Sequence, residues 1–248
     1  MGNDYQLNEL NQLNSDSNLT LTSCKPLIQC FTNYEYKYTP VFMISEYSKF
    51  EKKVTRDHTI NYKNDSVKIV ADPIFVFGRG HDSNAGERFT QNTRGFRIYG
   101  SLGKKFSFET TFIENQSFSP KYIRYFVAEY GVYPGMGRTK PFKVNGFDYA
   151  SSAGYISYSP TKFLNIQYGH GKLFVGNGYR SILLSDNAFN FPHLKLTYNW
   201  KNKLHYTWVT ASLMNLQSPE KLSALAEPLF RKKLASFHIL AYRPKIGR

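Results

Sequence analysis

From residue 66 onward, apolar and polar residues alternate with a period of two, the repeat that places every second side chain on one face of a β-strand. "SVKIVADPIFVFG" sets Val67, Ile69, Ala71, Pro73, Phe75 and Phe77 against Lys68, Val70 and Asp72. "TRGFRIYGSLG" sets Phe96, Ile98 and Leu102 against Arg97, Tyr99 and Ser101, and "KKFSFETTFIEN" sets Phe106, Phe108 and Phe112 against Ser107, Glu109 and Thr111. In "HLKLTYNW" the columns are cleanest: Leu194, Leu196, Tyr198 and Trp200 oppose His193, Lys195, Thr197 and Asn199. With further strands at 147–158, 163–169, 204–213 and 232–242, the pattern predicts eight strands and the start of a ninth.

A water-soluble sandwich shows the same alternation, so the connections carry more weight. They run long, short, long, short: "GRGHDSNAGERFTQN" then "LGK", residues 115–146 then "SPTK", residues 170–192 then "KNK", residues 214–231 then "RPKIG". If each strand pairs with the next, all tight turns fall at one end of the sheet and all long loops at the other, as in outer-membrane barrels. The expected fold is therefore all-β: an antiparallel up-and-down transmembrane β-barrel, seen here as an N-terminal portion. Residues 66–248 form the partial barrel, and residues 1–65 form a polar, partly disordered segment with early extended strands. Short helices are expected in two long loops, at "SPKYIRYFVAEYG", with Ser119 as cap and Pro120 at the first helical position, and at "SPEKLSALAEPLF" from Ser218 and Pro219.

Composition agrees with strands: 19 Tyr and 20 Phe make the chain 17% aromatic with Trp. No apolar run reaches the roughly 18 residues of a spanning helix, which leaves a membrane barrel open. No export signal is visible at the start, so localisation in the outer membrane of a Gram-negative bacterium presumes one upstream. Cys24 and Cys30, about 20 Å apart if extended, are read as two unpaired thiols. The net charge of +14 points to a polyanionic partner. Outer-membrane lipid or lipopolysaccharide fits the lysines of the tight turns, whereas no nucleic-acid fold pattern accompanies "KYIRY" or "FRKK". The six His residues lack metal-ligand spacing, Glu109 and Glu114 lie five apart on a strand and face opposite sides, and "GYRSILLS" lacks the nucleophile-elbow spacing. No catalytic residue, metal or cofactor is expected.

"GHGKLFVGNGYRSILLSDNAFNFP" concentrates the candidate chemistry. Lys172 is followed by Leu173 rather than Ser or Thr, which rules out a phosphate-binding loop, and the glycine spacing does not match the dinucleotide fingerprint. Gly169, Gly171, Gly176 and Gly178 are read as structural, through positive φ and close approach of the loop to the barrel wall. Arg180 either pairs with Asp186 to hold the loop or contacts a ligand. The candidate glycan-binding set is Lys172, Asn177, Tyr179, Arg180, Asp186 and Arg138. Arg79, Arg88, Arg94, Arg97 and Arg124 lie toward the same long-loop side, where arginines suit acidic sugar groups and where a salt-bridge network is the competing reading.

Together with "TRGFRIYGSLGKKFSFETTFIENQ", "EYGVYPGMGRTKPF" and "FDYASSAGYISYSP", the stretch "YGHGKLFVGNGYRSILLSDNAFNFPHLKLT" resembles the gliding-motility RemB-type outer-membrane proteins of Bacteroidota, distant relatives of the capsule-assembly Wzi-type barrels. The resemblance spans about residues 66–245. It implies an antiparallel outer-membrane barrel without catalysis that acts in surface-polysaccharide attachment or gliding, its partner being a surface polysaccharide or an adhesion and motility protein. Two other readings stay open: a porin-like channel, and a soluble basic β-sandwich that binds nucleic acid.

Overall fold

The computed structural model describes residues 24–25, 58–83, 86–176, 181, 183–185, 187–200, 203–215 and 230–242. All eight alternating stretches are strands: β3 (Val67–Asp82), β4 (Glu87–Leu102), β5 (Phe106–Phe118), β8 (Gly146–Tyr158), β9 (Leu164–Gly171), β11 (Phe191–Trp200), β12 (Leu204–Met214) and β13 (Lys232–Tyr242). Four short strands accompany them in the sheets, β1 (Cys24–Lys25), β2 (Ile60–Lys63), β6 (Val132–Tyr133) and β10 (Phe174–Val175), together with β7 (Gly137–Phe142). The main sheet is an antiparallel meander in the order β13-β12-β11-β9-β8-β5-β4-β3-β2, with β7 added on β8 and β6 on β7. Among the described residues its edge strands β2 and β13 do not pair with each other, so the sheet is open rather than a closed barrel.

The tight turns gather at one end. Residues 64–66, 103–105 and 159–163 join successive strands, and Lys203 is the described residue between β11 and β12. The first three turns touch their neighbours: the Gly103 amide donates to the Ser66 carbonyl and Ser159 N–H to Lys105 O at 2.8 Å, while Asn199 N–H at the end of β11 donates to Phe163 O at 2.8 Å. Asn64 makes the first turn by accepting the amides of Ser66 and Val67 on its side chain, at 2.9 and 2.7 Å.

At the other end lie the longer connections, with one correction. The expected long loop at 78–92 is almost entirely strand, since β3 runs to Asp82 and β4 starts at Glu87. Glycines and polar residues there interrupt hydrophobic alternation, but paired over sixteen positions from Val67↔Leu102 to Asp82↔Glu87 they still satisfy each other's backbone. The first predicted helix is α1 (Lys121–Tyr130), closed by Gly131 at φ 68°, whose N–H bonds Val127 O at 2.8 Å. Its start also differs from expectation. Pro120 is the cap residue itself, and the Ser119 hydroxyl turns to Ser117 at 3.2 Å and Tyr133 at 3.1 Å instead of capping. The second predicted helix and Cys30 lie outside the described residues.

The two faces of the sheet are inverted relative to a water-soluble fold. Register puts Thr93, Ser107, Asn115, Ser157, Asn165, Gln167, Lys195, Thr197 and Thr207 on one face, and all are buried. The other face carries Phe75, Phe77, Phe96, Phe112, Ile156, Tyr168, Trp200, Leu234 and Leu240, all exposed; Phe77 keeps 75% of its surface and Leu234 87%. Every large hydrophobic residue that is exposed on a described strand belongs to this apolar face.

Candidate functional site at the long-connection end

Hydrogen-bonded groups fill the polar face beneath the long connections. Arg97 Nε donates to Glu109 Oε1 at 2.8 Å, both side chains more than four-fifths buried, and Tyr155 donates to Glu109 Oε2 at 3.4 Å. His58 and Thr59 hold Asp72, at 2.7 and 2.9 Å. Nearer the long connections, Thr93 donates to Asn115 Oδ1 at 2.6 Å, and Tyr133 stacks on Tyr149 with ring centroids 3.9 Å apart. Three buried groups on β9 and β11, Asn165 Oδ1, Gln167 Nε2 and His193 Nε2, have no hydrogen-bond partner.

Glu109 and Glu114 do face opposite sides: Glu114 pairs with Arg94 at 3.5 Å on the apolar side. The arginines read as lying toward one long-loop side are thus divided between the two faces. Arg97 is committed to Glu109 within the polar face, Arg94 to Glu114, and Arg124 of α1 forms an ion pair with Glu87 at 2.6 Å, tying the helix to β4. For these three the salt-bridge reading holds.

The glycine-rich segment leaves β9 and folds onto the polar face. Leu173, only 1% exposed, packs with Phe191, Val209 and Ala211, joined by Leu184, Leu213 and Phe237. Immediately after it, β10 pairs with β1 through Cys24↔Val175 and Lys25↔Phe174. Ser181 fixes the segment's return by accepting the Val175 amide at 3.1 Å, and Asn190 anchors its end to β8 through Ser151 Oγ at 2.9 Å and Ser152 O at 2.7 Å.

The glycines differ in role. Gly176 has φ 106°, which only glycine adopts readily. Gly169 is a close-approach position: a Cβ there would lie 2.7 Å from both Gly154 O and Tyr155 Cβ. Gly171 meets neither reason, since its Cβ would sit 3.6 Å from Ala153 Cβ, an ordinary contact, and its φ is not positive. Gly178 lies outside the described residues.

Of the six candidate ligand residues, Lys172 and Arg138 are described, whereas Asn177, Tyr179, Arg180 and Asp186 lie outside the described residues. Lys172 reaches the β6–β7 hairpin, its Nζ 3.5 Å from where a Cβ on Gly135 would stand. Arg138 lies on that hairpin, opposite Val132, with its guanidinium 5.5 Å from the centre of the Phe230 ring. The structure therefore brings these two cations to one hairpin.

The exposed face of α1 lies outside the candidate set read from the sequence. Tyr122 and Tyr125 keep 69% and 63% of their surface, and Lys121 Nζ lies 5.8 Å from the Tyr125 ring centre. The signal was present as the interleaved basic and aromatic residues of "KYIRY", at the i,i+3 spacing that puts both tyrosines on one helical side. At the helix end Tyr130 is held above its ordinary pKa by the Glu129 carboxylate, which accepts its hydrogen bond and disfavours the phenolate. Among the described residues no three His, Cys, Asp or Glu side chains gather as metal ligands, and no helix is long and apolar enough to cross a membrane. Comparison of the chain with protein families, curated proteins and solved structures gives no match.

Proposed function

We propose that the chain is part of a non-enzymatic outer-membrane β-barrel whose long-connection end engages a surface polysaccharide or an adhesion and motility partner. The observation that carries the membrane reading is the inverted sheet. Taking about 200 Å² per large side chain, the apolar face leaves on the order of 1,500–2,000 Å² of hydrophobic surface uncovered. The largest apolar patch on a water-soluble monomer is usually about 300–600 Å². A soluble sandwich buries its apolar columns and solvates its polar ones, the opposite of the burial here.

The dimensions fit a bilayer. The apolar run on β3 extends from Val67 to Phe77 and gives way to Arg79 and His81. At about 3.4 Å per residue and a tilt near 40° it spans about 25 Å, the height of the lipid-facing band of such barrels.

The polysaccharide reading is supported by the long-connection end, where Tyr122, Tyr125 and Lys121 offer exposed rings and a cation, and Lys172 and Arg138 share a hairpin. Aromatic faces stack on sugar rings, and cations bind acidic sugar groups.

Two measurements test the reading. The chain refolded into phosphatidylcholine vesicles is expected to float with them, resist carbonate extraction and run as a heat-modifiable band. In that state it is expected to be retained on acidic-polysaccharide resin, with Tyr122→Ala/Tyr125→Ala retained several-fold less. A chain monomeric in water without detergent ends the membrane reading. Insertion with steady ion conductance and no retention replaces the polysaccharide role with a porin-like channel.

A further inference from the structure

The short-turn end of the sheet carries charge of nearly one sign. Lys63, Lys104, Lys105, Lys162 and Lys203 are all exposed, and Asp65 is the single carboxylate in these four turns. Two hydrogen bonds, Gly103 to Ser66 and Ser159 to Lys105, set the first three of these turns side by side, and the next strand in the sheet, β11, leads to Lys203, so the lysines follow one another along one rim.

A collar of aromatic residues lies directly beneath this row. Phe106 stacks on Tyr158 with centroids 4.5 Å apart, Phe163 meets Tyr198 edge to face at 5.8 Å, and Trp200 is 54% exposed. Lys104 is two residues from Phe106 and Lys162 is adjacent to Phe163, so each cation stands within about 7 Å of the collar along the chain. At the opposite end, Arg124–Glu87 already pairs cation with carboxylate.

We infer that this lysine rim binds the phosphates of anionic glycerophospholipids in the leaflet facing the short turns, an inference that rests on the membrane-barrel reading. Aromatic rings settle at the headgroup boundary, and a basic row just beyond them stands at phosphate depth. The short turns of outer-membrane barrels face the periplasm. The lipid recognised is therefore a glycerophospholipid with a net-anionic phosphodiester headgroup, of the phosphatidylglycerol type, rather than lipopolysaccharide.

The chain's two tryptophans, Trp200 in the collar and Trp208 on the same face of β12, supply the probe. The chain is refolded into mixed vesicles in which either phosphatidylglycerol or phosphatidylcholine carries brominated acyl chains, and tryptophan quenching reports which lipid is adjacent. Quenching by brominated phosphatidylglycerol is expected to exceed that by brominated phosphatidylcholine about threefold at equal mole fraction. The ratio is expected to approach one in Lys104→Ser/Lys105→Ser/Lys162→Ser/Lys203→Ser, and also in the unaltered chain at about 1 M salt, where the Debye length falls to about 3 Å. A ratio near one in the inserted, unaltered chain overturns the inference, as does a preference that survives the four substitutions. Absence of quenching by either lipid signals failure of the membrane reading instead.

Discussion

An arginine on the apolar face at mid-strand separates a lipid-facing sheet from a water-facing one. Leu196 is half-buried on β11, with Ile166 and Trp208 opposite it on the neighbouring strands and Trp200 four residues away in the collar. Four residues of strand rise about 14 Å, or about 10 Å of depth at a 45° tilt, which places Leu196 near the middle of a band about 25 Å tall. Arginine at the midplane of a barrel costs about 2–4 kcal/mol, falling to about 0–1 kcal/mol at the interface. Leu196→Arg is therefore expected to be about 2–3 kcal/mol more costly than Trp200→Arg, roughly a 30- to 150-fold difference in the folding equilibrium. Urea unfolding in phosphatidylcholine vesicles measures both, followed by the fluorescence of Trp208, which both variants retain; Leu196→Ala corrects for lost packing. In a sheet whose apolar face meets water, both arginines would stay within about 0.5 kcal/mol of the starting chain. Equal shifts for the two arginines would refute the lipid-facing assignment.

Other predictions concern the polar face and the segment folded onto it. Gly169→Ala is expected to lower stability by about 2 kcal/mol or more, because the new methyl would meet the Gly154 carbonyl at 2.7 Å, while Gly171→Ala is expected to stay within about 0.5 kcal/mol; unfolding titrations compare them. Glu109→Gln leaves Arg97 with a neutral partner in a mostly buried place and is expected to cost about 2–3 kcal/mol in the same assay. Leu173→Ala removes the side chain that fixes the glycine-rich segment to Phe191, Val209 and Ala211. It is expected to cost about 2–5 kcal/mol and to open residues 172–190 to limited proteolysis while the strands stay protected.

Strand positions and neighbours were legible because period two survives wherever one face of the sheet is lined by apolar side chains and the other by polar ones. β11 shows this at nine of its ten positions, buried polar and outward apolar residues alternating from Pro192 to Trp200, with the buried Phe191 the exception. Where that contrast weakens, so does the signal. The β3–β4 tip has polar residues on both faces, Arg79 and His81 on one and Gln91 beside Thr93 on the other, so it reads as loop although its backbone is fully paired. β6 and β10 are two residues long, and β1 finds its partner about 150 positions away, a pairing that no local pattern encodes.

The candidate site divides along the same line. Gly169 is explained by neighbours on the adjoining strand, and Gly176 by its own backbone angle, but nothing in a run of glycines tells the two apart. The arginines were read as one group from their position along the chain. Their placement is decided by strand parity instead: Arg94 and Arg97, three apart on β4, fall on opposite faces, and each takes the carboxylate of β5 that shares its face, Glu114 and Glu109. One parity rule thus sorts apolar from polar columns and places each strand-borne charge beside its counter-ion. The exposed rings and cations at the long-connection end, Lys121, Tyr122 and Tyr125 on α1 and Arg138 and Lys172 at the β6–β7 hairpin, stand on elements that this two-residue repeat does not encode.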